Sequence, residues 1–93
     1  TAIYAFNDLQ AYGVIDKARQ RGLNIPADLS LVGFDDIFYS SILETKLTTV
    51  KQPLEEMSKL TCSLLISLIN NNEEAKVISL PGQLISRDSV KRI

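Results

Sequence analysis

Leu29-Ser30-Leu31-Val32-Gly33-Phe34-Asp35-Asp36 is the stretch on which the reading of this chain turns. The mostly apolar run from Leu29 to Phe34, closed by two carboxylates, has the length and residue types of a buried strand. Upstream, Ile3 to Phe6 is a second, partly β-branched run, followed by Asn7 and Asp8 and then by a helical pattern that lasts to Arg21. Asp8 suits the N-cap, because its carboxylate can accept from the orphan N–H groups of a first helical turn. Gly22 suits the left-handed position just past the helix end. Pro26 and Asp28 mark the loop that leads back to Leu29. Strand, helix and strand in this order make a right-handed βαβ unit.

Beyond Asp36 the signals are shorter. Ile37 to Leu43 is apolar and bounded by serines, which fits a loop or a single helical turn. Leu47 to Lys51 is extended and β-branched, and Gln52-Pro53 ends it, with Pro53 where a first helical turn tolerates a missing N–H. A helix runs from there to about Asn70, since Leu54, Met57, Thr61, Leu64, Leu65 and Leu68 recur at helical spacing and Asn70-Asn71-Asn72 breaks it. Two last strands, Lys76 to Leu80 and Gln83 to Ser86, flank Pro81-Gly82. The alternation predicts an α/β fold, a mostly parallel sheet with helices on its faces.

Composition narrows the function. The 93 residues suffice for one modest domain, which buries about 60 to 65 % of its unfolded surface. A hydrophobic share of 45 % excludes disorder, while 23 % charged residues interrupt any membrane span. A net charge of -1 argues against a DNA-binding face on this segment, because such a face clusters Lys and Arg to displace counterions. With no His there is no Ser-His or Cys-His nucleophile, and no glycine-rich phosphate loop is present, so no enzymatic role is expected. The lone Cys62 offers neither a disulfide framework nor a metal site, which suits a reducing cytoplasm. No cofactor is expected. Thr1 stands directly before a strand without an initiator Met, which suggests a piece of a longer protein.

In parallel sheets, ligands sit outside the carboxyl ends of the strands. Asn7 and Asp35 each follow the last apolar residue of a strand and Gln52 follows the third, so these three polar side chains share one rim. Asn, Asp and Gln together donate and accept, as a polyhydroxylated or heterocyclic ligand requires. Asp35 is the ligand candidate of its pair and Asp36 the structural support, since neighbours at a strand end point different ways; Asp8 supports likewise. The plainer alternative is that Asn7, Asp8, Asp35 and Asp36 only cap turns. An enzymatic alternative is a phosphoacceptor domain in which acidic groups and Lys51 surround Mg²⁺, although Asn7-Asp8 is displaced into a helix start.

On the first helix Ala11, Val14, Ile15 and Ala18 form one face, with Leu9, Tyr12 and Gly13 opposite. The second patch has no use in a monomer, and with Tyr39, Ile42 and Leu43 it provides apolar surface for a partner subunit. Isolated surface aromatics at Tyr12 and Tyr39 are the alternative.

Ala5-Phe6-Asn7-Asp8, Gly13, Arg21-Gly22-Leu23-Asn24-Ile25-Pro26-Ala27-Asp28, Leu31-Val32-Gly33-Phe34-Asp35-Asp36, Leu47-Thr48-Thr49-Val50-Lys51-Gln52-Pro53 and Arg87-Asp88-Ser89, in this order and spacing, closely resemble the lactose/galactose-repressor family. The likeness covers almost the whole chain. It implies a periplasmic-binding-protein-like sensor of two α/β subdomains, of which this chain is the C-terminal subdomain plus a crossover helix of the other. The DNA-binding helix-turn-helix, the hinge and the first half of the sensor are absent. Asn7 and Asp35 would contact a small effector, a sugar or a nucleobase, with Gln52 beside it on the crossover. The family's homodimer surface would fall on Leu9, Tyr12, Gly13, Tyr39, Ile42 and Leu43. DNA would be met only through the missing domain. A sugar-binding transport protein of the same fold is the alternative. The helix from Pro53 to Asn70 would lack its packing partner; six or so large side chains left exposed forgo on the order of 10 to 15 kcal/mol, so self-association or a separate chain is expected to cover them.

Overall fold

The structure, a computed structural model, describes residues 1–70 and 74–92. In chain order it contains β1 (Ala2–Tyr4), α1 (Asp8–Gln20), β2 (Ser30–Val32), a 3₁₀ turn (Phe38–Ser41), β3 (Thr49–Lys51), α2 (Leu54–Ile69) and β4 (Gln83–Ile85). Two compact units result: residues 1–51 with the segment from Gln83 onward, and Gln52–Gly82.

In the first unit β1 and β2 pair in parallel, Ile3 opposite Leu31. The ladder outlasts the strands: the Ala5 N–H donates to the Val32 carbonyl at 2.8 Å and the Asp8 N–H to the Phe34 carbonyl at 2.9 Å. On the other side of β2 runs the segment entering β3, also parallel, bridging Val32 to Thr48 and Asp35 to Lys51. Its hydrogen bonds run from the Gly33 N–H to the Thr48 carbonyl and from the Asp35 N–H to the Val50 carbonyl, each 2.9 Å. β4 closes this series antiparallel to β3, Val50 opposite Leu84. The sheet is therefore parallel except at its last strand.

α1 begins one residue differently from expectation. Asn7, not Asp8, is the N-cap: its backbone is extended and its side chain accepts from the Gln10 N–H at 2.8 Å. Asp8 becomes the first helical residue and is fully buried, because its carboxylate is drawn inward by three donors from two other segments. The far end behaves as the glycine predicts. Gly22 has φ 69°, its N–H reaches the Arg19 carbonyl and the Leu23 N–H reaches Ala18, which satisfies the last carbonyls of the helix. Ala5, Ala11, Leu31 and Leu47 form the core, with Tyr12, Val14, Ile15 and Ile25 packed against it. Tyr12 thus has a place within one chain. It lies one turn beyond Asp8 on the helix, hence on the buried flank.

The second unit contains α2, capped by Pro53 and Asn70, so that Pro53 precedes the first helical residue. No residue of α2 is buried, and Leu54, Leu65, Ile66 and Ile69 are all more than half exposed. Residues 76–80 form no strand. β-branched alternation gives them the propensity, but a strand exists only through a ladder, and the ladders among the described residues run through β1 to β4 and not through this segment; Val77 is 99 % exposed. Asn71 and Asn72, expected to break the helix, lie outside the described residues.

Candidate functional site

Three chain crossings meet at the carboxyl ends of the parallel segments. The Asp8 N–H binds the Phe34 carbonyl, and the next residue, Asp35, is bridged to Lys51. Asn7 and Asp35 therefore emerge at the same end of the sheet, while Gln52 directly follows Lys51 and opens the second unit. Asn7 is half-buried with its Oδ1 committed to the helix cap. The capping reading and the ligand reading of Asn7 are thus compatible, since its Nδ2 points two further donors elsewhere.

Beneath this edge the Asp8 carboxylate gathers the surrounding segments. Oδ2 accepts from the Ser40 hydroxyl at 2.5 Å and the Ile37 N–H at 3.0 Å, and Oδ1 accepts from the Thr49 hydroxyl at 2.6 Å. Ser40 has only one proton to give, and a carboxylate can only accept. The Tyr12 phenol, 2.9 Å from Ser40 Oγ, must then be the donor of that contact. Burial pushes the Tyr12 phenol above its ordinary range, the negative charge of Asp8 adding to the effect. Gly33 is dictated by the same carboxylate: a Cβ there would lie 2.3 Å from Asp8 Oδ1 and 2.8 Å from Leu47 Cδ2.

A second polar cluster braces the Asp35–Asp36 turn. Both residues have positive φ, 119° and 54°. The two residues therefore lie on a left-handed turn and not on the alternating strand end that the sequence suggested. Asp36 Oδ1 accepts from Arg87 Nη2 at 2.6 Å, both side chains being largely buried, and Arg87 Nη1 donates to the Leu47 carbonyl at 2.8 Å. The Arg87 N–H donates to Thr48 Oγ1, and Ser89 Oγ joins the Thr48 N–H to the Leu31 carbonyl. Ser40, Thr49, Arg87 and Ser89 were not singled out as site residues from sequence. Thr49, Arg87 and Ser89 stood within motifs of the family resemblance, and Ser40 stood in none of them. No buried side-chain nitrogen or oxygen among the described residues lacks a partner.

On the flank, α1 residues Tyr12, Ile15, Asp16 and Arg19 line a groove of about 510 Å³ with Leu23–Ile25 and Leu43–Thr45. Of the residues expected at a subunit contact, Tyr12 and Leu43 line this groove, Leu9, Tyr39 and Ile42 are exposed, and Gly13 has open space around it. The receiver-type alternative does not fit this edge, because the Asp36 carboxylate is already bound by a guanidinium.

The chain matches the periplasmic binding protein-like domain over residues 1–90. It is 43 % identical over 89 residues to the HTH-type transcriptional regulator MalR of Clostridium butyricum, covering 96 % of this chain and 27 % of that protein. Among solved structures, a LacI family transcriptional regulator from Enterococcus faecium with bound ribose superposes with a TM-score of 0.85 at 32 % identity, covering 97 % of this chain and 34 % of the other. The lac repressor dimer bound to operator and the anti-inducer ONPF superposes with a TM-score of 0.88 at 31 % identity, over 97 % of this chain and 32 % of the other. The chain thus spans about a quarter to a third of the length of the relatives it matches. It belongs to the periplasmic binding protein-like family, in the form found in transcriptional regulators of the lactose-repressor type.

Proposed function

We propose that this chain is part of the effector-sensing domain of a transcription repressor, a binding element and not an enzyme. Asn7, Asp35 and Gln52 contact a small polar effector, a sugar or a nucleobase. Asp8 and Asp36 support that edge from below. The observation that carries this reading is the meeting of the Asn7-Asp8, Phe34-Asp35 and Val50-Lys51 crossings at the carboxyl ends of parallel segments, where α/β sheets place ligands. The ribose in one structural relative supports a sugar.

In this reading the repressor acts in the cytoplasm as a homodimer through Leu9, Tyr12, Gly13, Tyr39, Ile42 and Leu43, the exposed apolar patch and groove on one flank. No described helix is long and apolar enough to cross a membrane. DNA is bound by a separate helix-turn-helix domain, and the effector shifts the balance between two arrangements of the dimer. A tenfold change in operator affinity needs about 1.4 kcal/mol of coupling.

The test takes the full-length regulator through a thermal-shift panel of D-ribose, D-xylose, cellobiose, hypoxanthine and guanine, then measures operator binding with and without each compound that shifts it. Asn7→Ala and Asp35→Ala should abolish the response and leave effector-free operator affinity within about twofold. Normal responses in both variants refute the site. A transport protein of the same fold, the second reading, would show thermal shifts without any operator binding.

A further inference from the structure

The turn that carries Asp35 is held in a conformation its own residues do not favour. A φ of 119° is rare for any residue with a Cβ, and Asp36 at 54° follows it in the left-handed region that aspartate tolerates better than most. Such backbone persists only where its surroundings over-determine it. On one side of the turn the Asp35 N–H is fixed to the Val50 carbonyl, and on the other the Ile37 N–H is fixed to Asp8. Between them, Asp36 has a weak backbone contact, its N–H lying 3.4 Å from Thr49 Oγ1. Its strong tie is through the side chain, to Arg87, 51 residues further along.

Arg87 is itself anchored at three points. Its backbone N–H is held by Thr48, one guanidinium nitrogen by the Leu47 carbonyl, and the other reaches Asp36. The planar fork therefore spans from the start of the β3 segment to the Asp36 carboxylate, a geometry lysine cannot copy. We infer that Arg87 is a positioning residue for the effector edge: it clamps Asp36 and so keeps Asp35 in the left-handed backbone that presents it there. This rests on Asp35 being a ligand contact, and it extends the site to the C-terminal segment, which touches no effector itself.

The experiment uses the full-length regulator in two arms. Hydrogen exchange, without ligand, compares wild type with Arg87→Met, which keeps the apolar stem and loses the fork. Exchange at the Asp36 and Ile37 amides should rise about tenfold while Ala11 and Ala18 in α1 stay unchanged, a local opening. Uniform acceleration would mean a merely structural role, and no change would overturn the clamp outright. Asp36→Asn, which removes the charge and weakens the tie, replaces it if Arg87→Met fails to fold; a smaller rise of about threefold confined to the same amides is expected, and a uniform rise or none would overturn the clamp.

In the second arm each panel compound is titrated into single and double variants. Arg87→Met should weaken binding about tenfold, Arg87→Lys about threefold, and Arg87→Met in an Asp35→Ala background less than about twofold, because the effect passes through Asp35. A full additional loss in that background would overturn the inference. If Asp35→Ala alone leaves every affinity unchanged, the ligand edge itself is refuted, and the exchange arm still decides whether Arg87 holds the turn.

Discussion

Replacing Asp8 with alanine removes the acceptor for three donors at once: the hydroxyls of Ser40 and Thr49 and the N–H of Ile37, at 2.5, 2.6 and 3.0 Å. The side chain is fully buried, so water does not readily substitute. Hydrogen bonds to a charged group contribute about 1.5 to 3 kcal/mol each, but the donors share one acceptor and relax together, so a loss of about 3 to 6 kcal/mol is expected for the set. That is a large part of the roughly 5 to 15 kcal/mol that holds a domain. Asp8→Asn keeps the shape. Its amide nitrogen is best turned toward Thr49, whose hydroxyl can rotate to accept, whereas Ile37 cannot reverse its N–H; the expected cost is about 1 to 3 kcal/mol. Thr49→Val, losing one bond, should cost about 1 to 2 kcal/mol. Urea denaturation of the full-length regulator, followed through the sensor transition, reads all three. A cost below about 1 kcal/mol for Asp8→Ala, or a larger cost for Thr49→Val than for Asp8→Ala, would refute the hub.

Two glycines should respond with opposite signs. Gly33→Ala drives a methyl into Asp8 and Leu47 and should destabilise by about 1 to 3 kcal/mol or more, while Gly13→Ala, in open space within α1, should stabilise the monomer by about 0.5 to 1 kcal/mol. If Gly13 also lies at the subunit contact, sedimentation should show weakened dimerisation in the same variant. Tyr12 gives a pH test: its folded pKa is raised, so its contribution is fully present below the unfolded value near 10 and is lost as pH rises through the folded one. Stability of the wild type should fall above about pH 10 more steeply than that of Tyr12→Phe, and parallel curves would contradict the burial of the phenol.

Local chemistry made much of the fold legible. Gly22 marked the end of α1 because a left-handed residue is needed there, and the apolar run around Leu31 announced β2, whereas Leu47, expected to open the next strand, is buried just ahead of β3. Asn7 and Asp8 are equally good caps in isolation. Which one caps was decided by Ser40 and Thr49, 32 and 41 residues away from Asp8, a choice no local pattern contains. Residues 76–80 failed as a strand for the same reason: propensity is local and pairing is not. That Asn7 and Asp35 leave their segments at the same end of the sheet could be read because strand ends are visible in sequence. The clamp from Arg87 to Asp36 could not, since its partners are joined only by folding.

Amide-resolved protection of the full-length regulator, with and without a panel compound that shifts its melting, locates the surface that the effector covers. Protection is expected at residues 7–8, 35–37 and 51–52, with little change at Tyr12, Leu43 and Glu44 around the flanking groove. Protection centred on that groove, with the strand-end amides unchanged, would contradict the proposed effector edge.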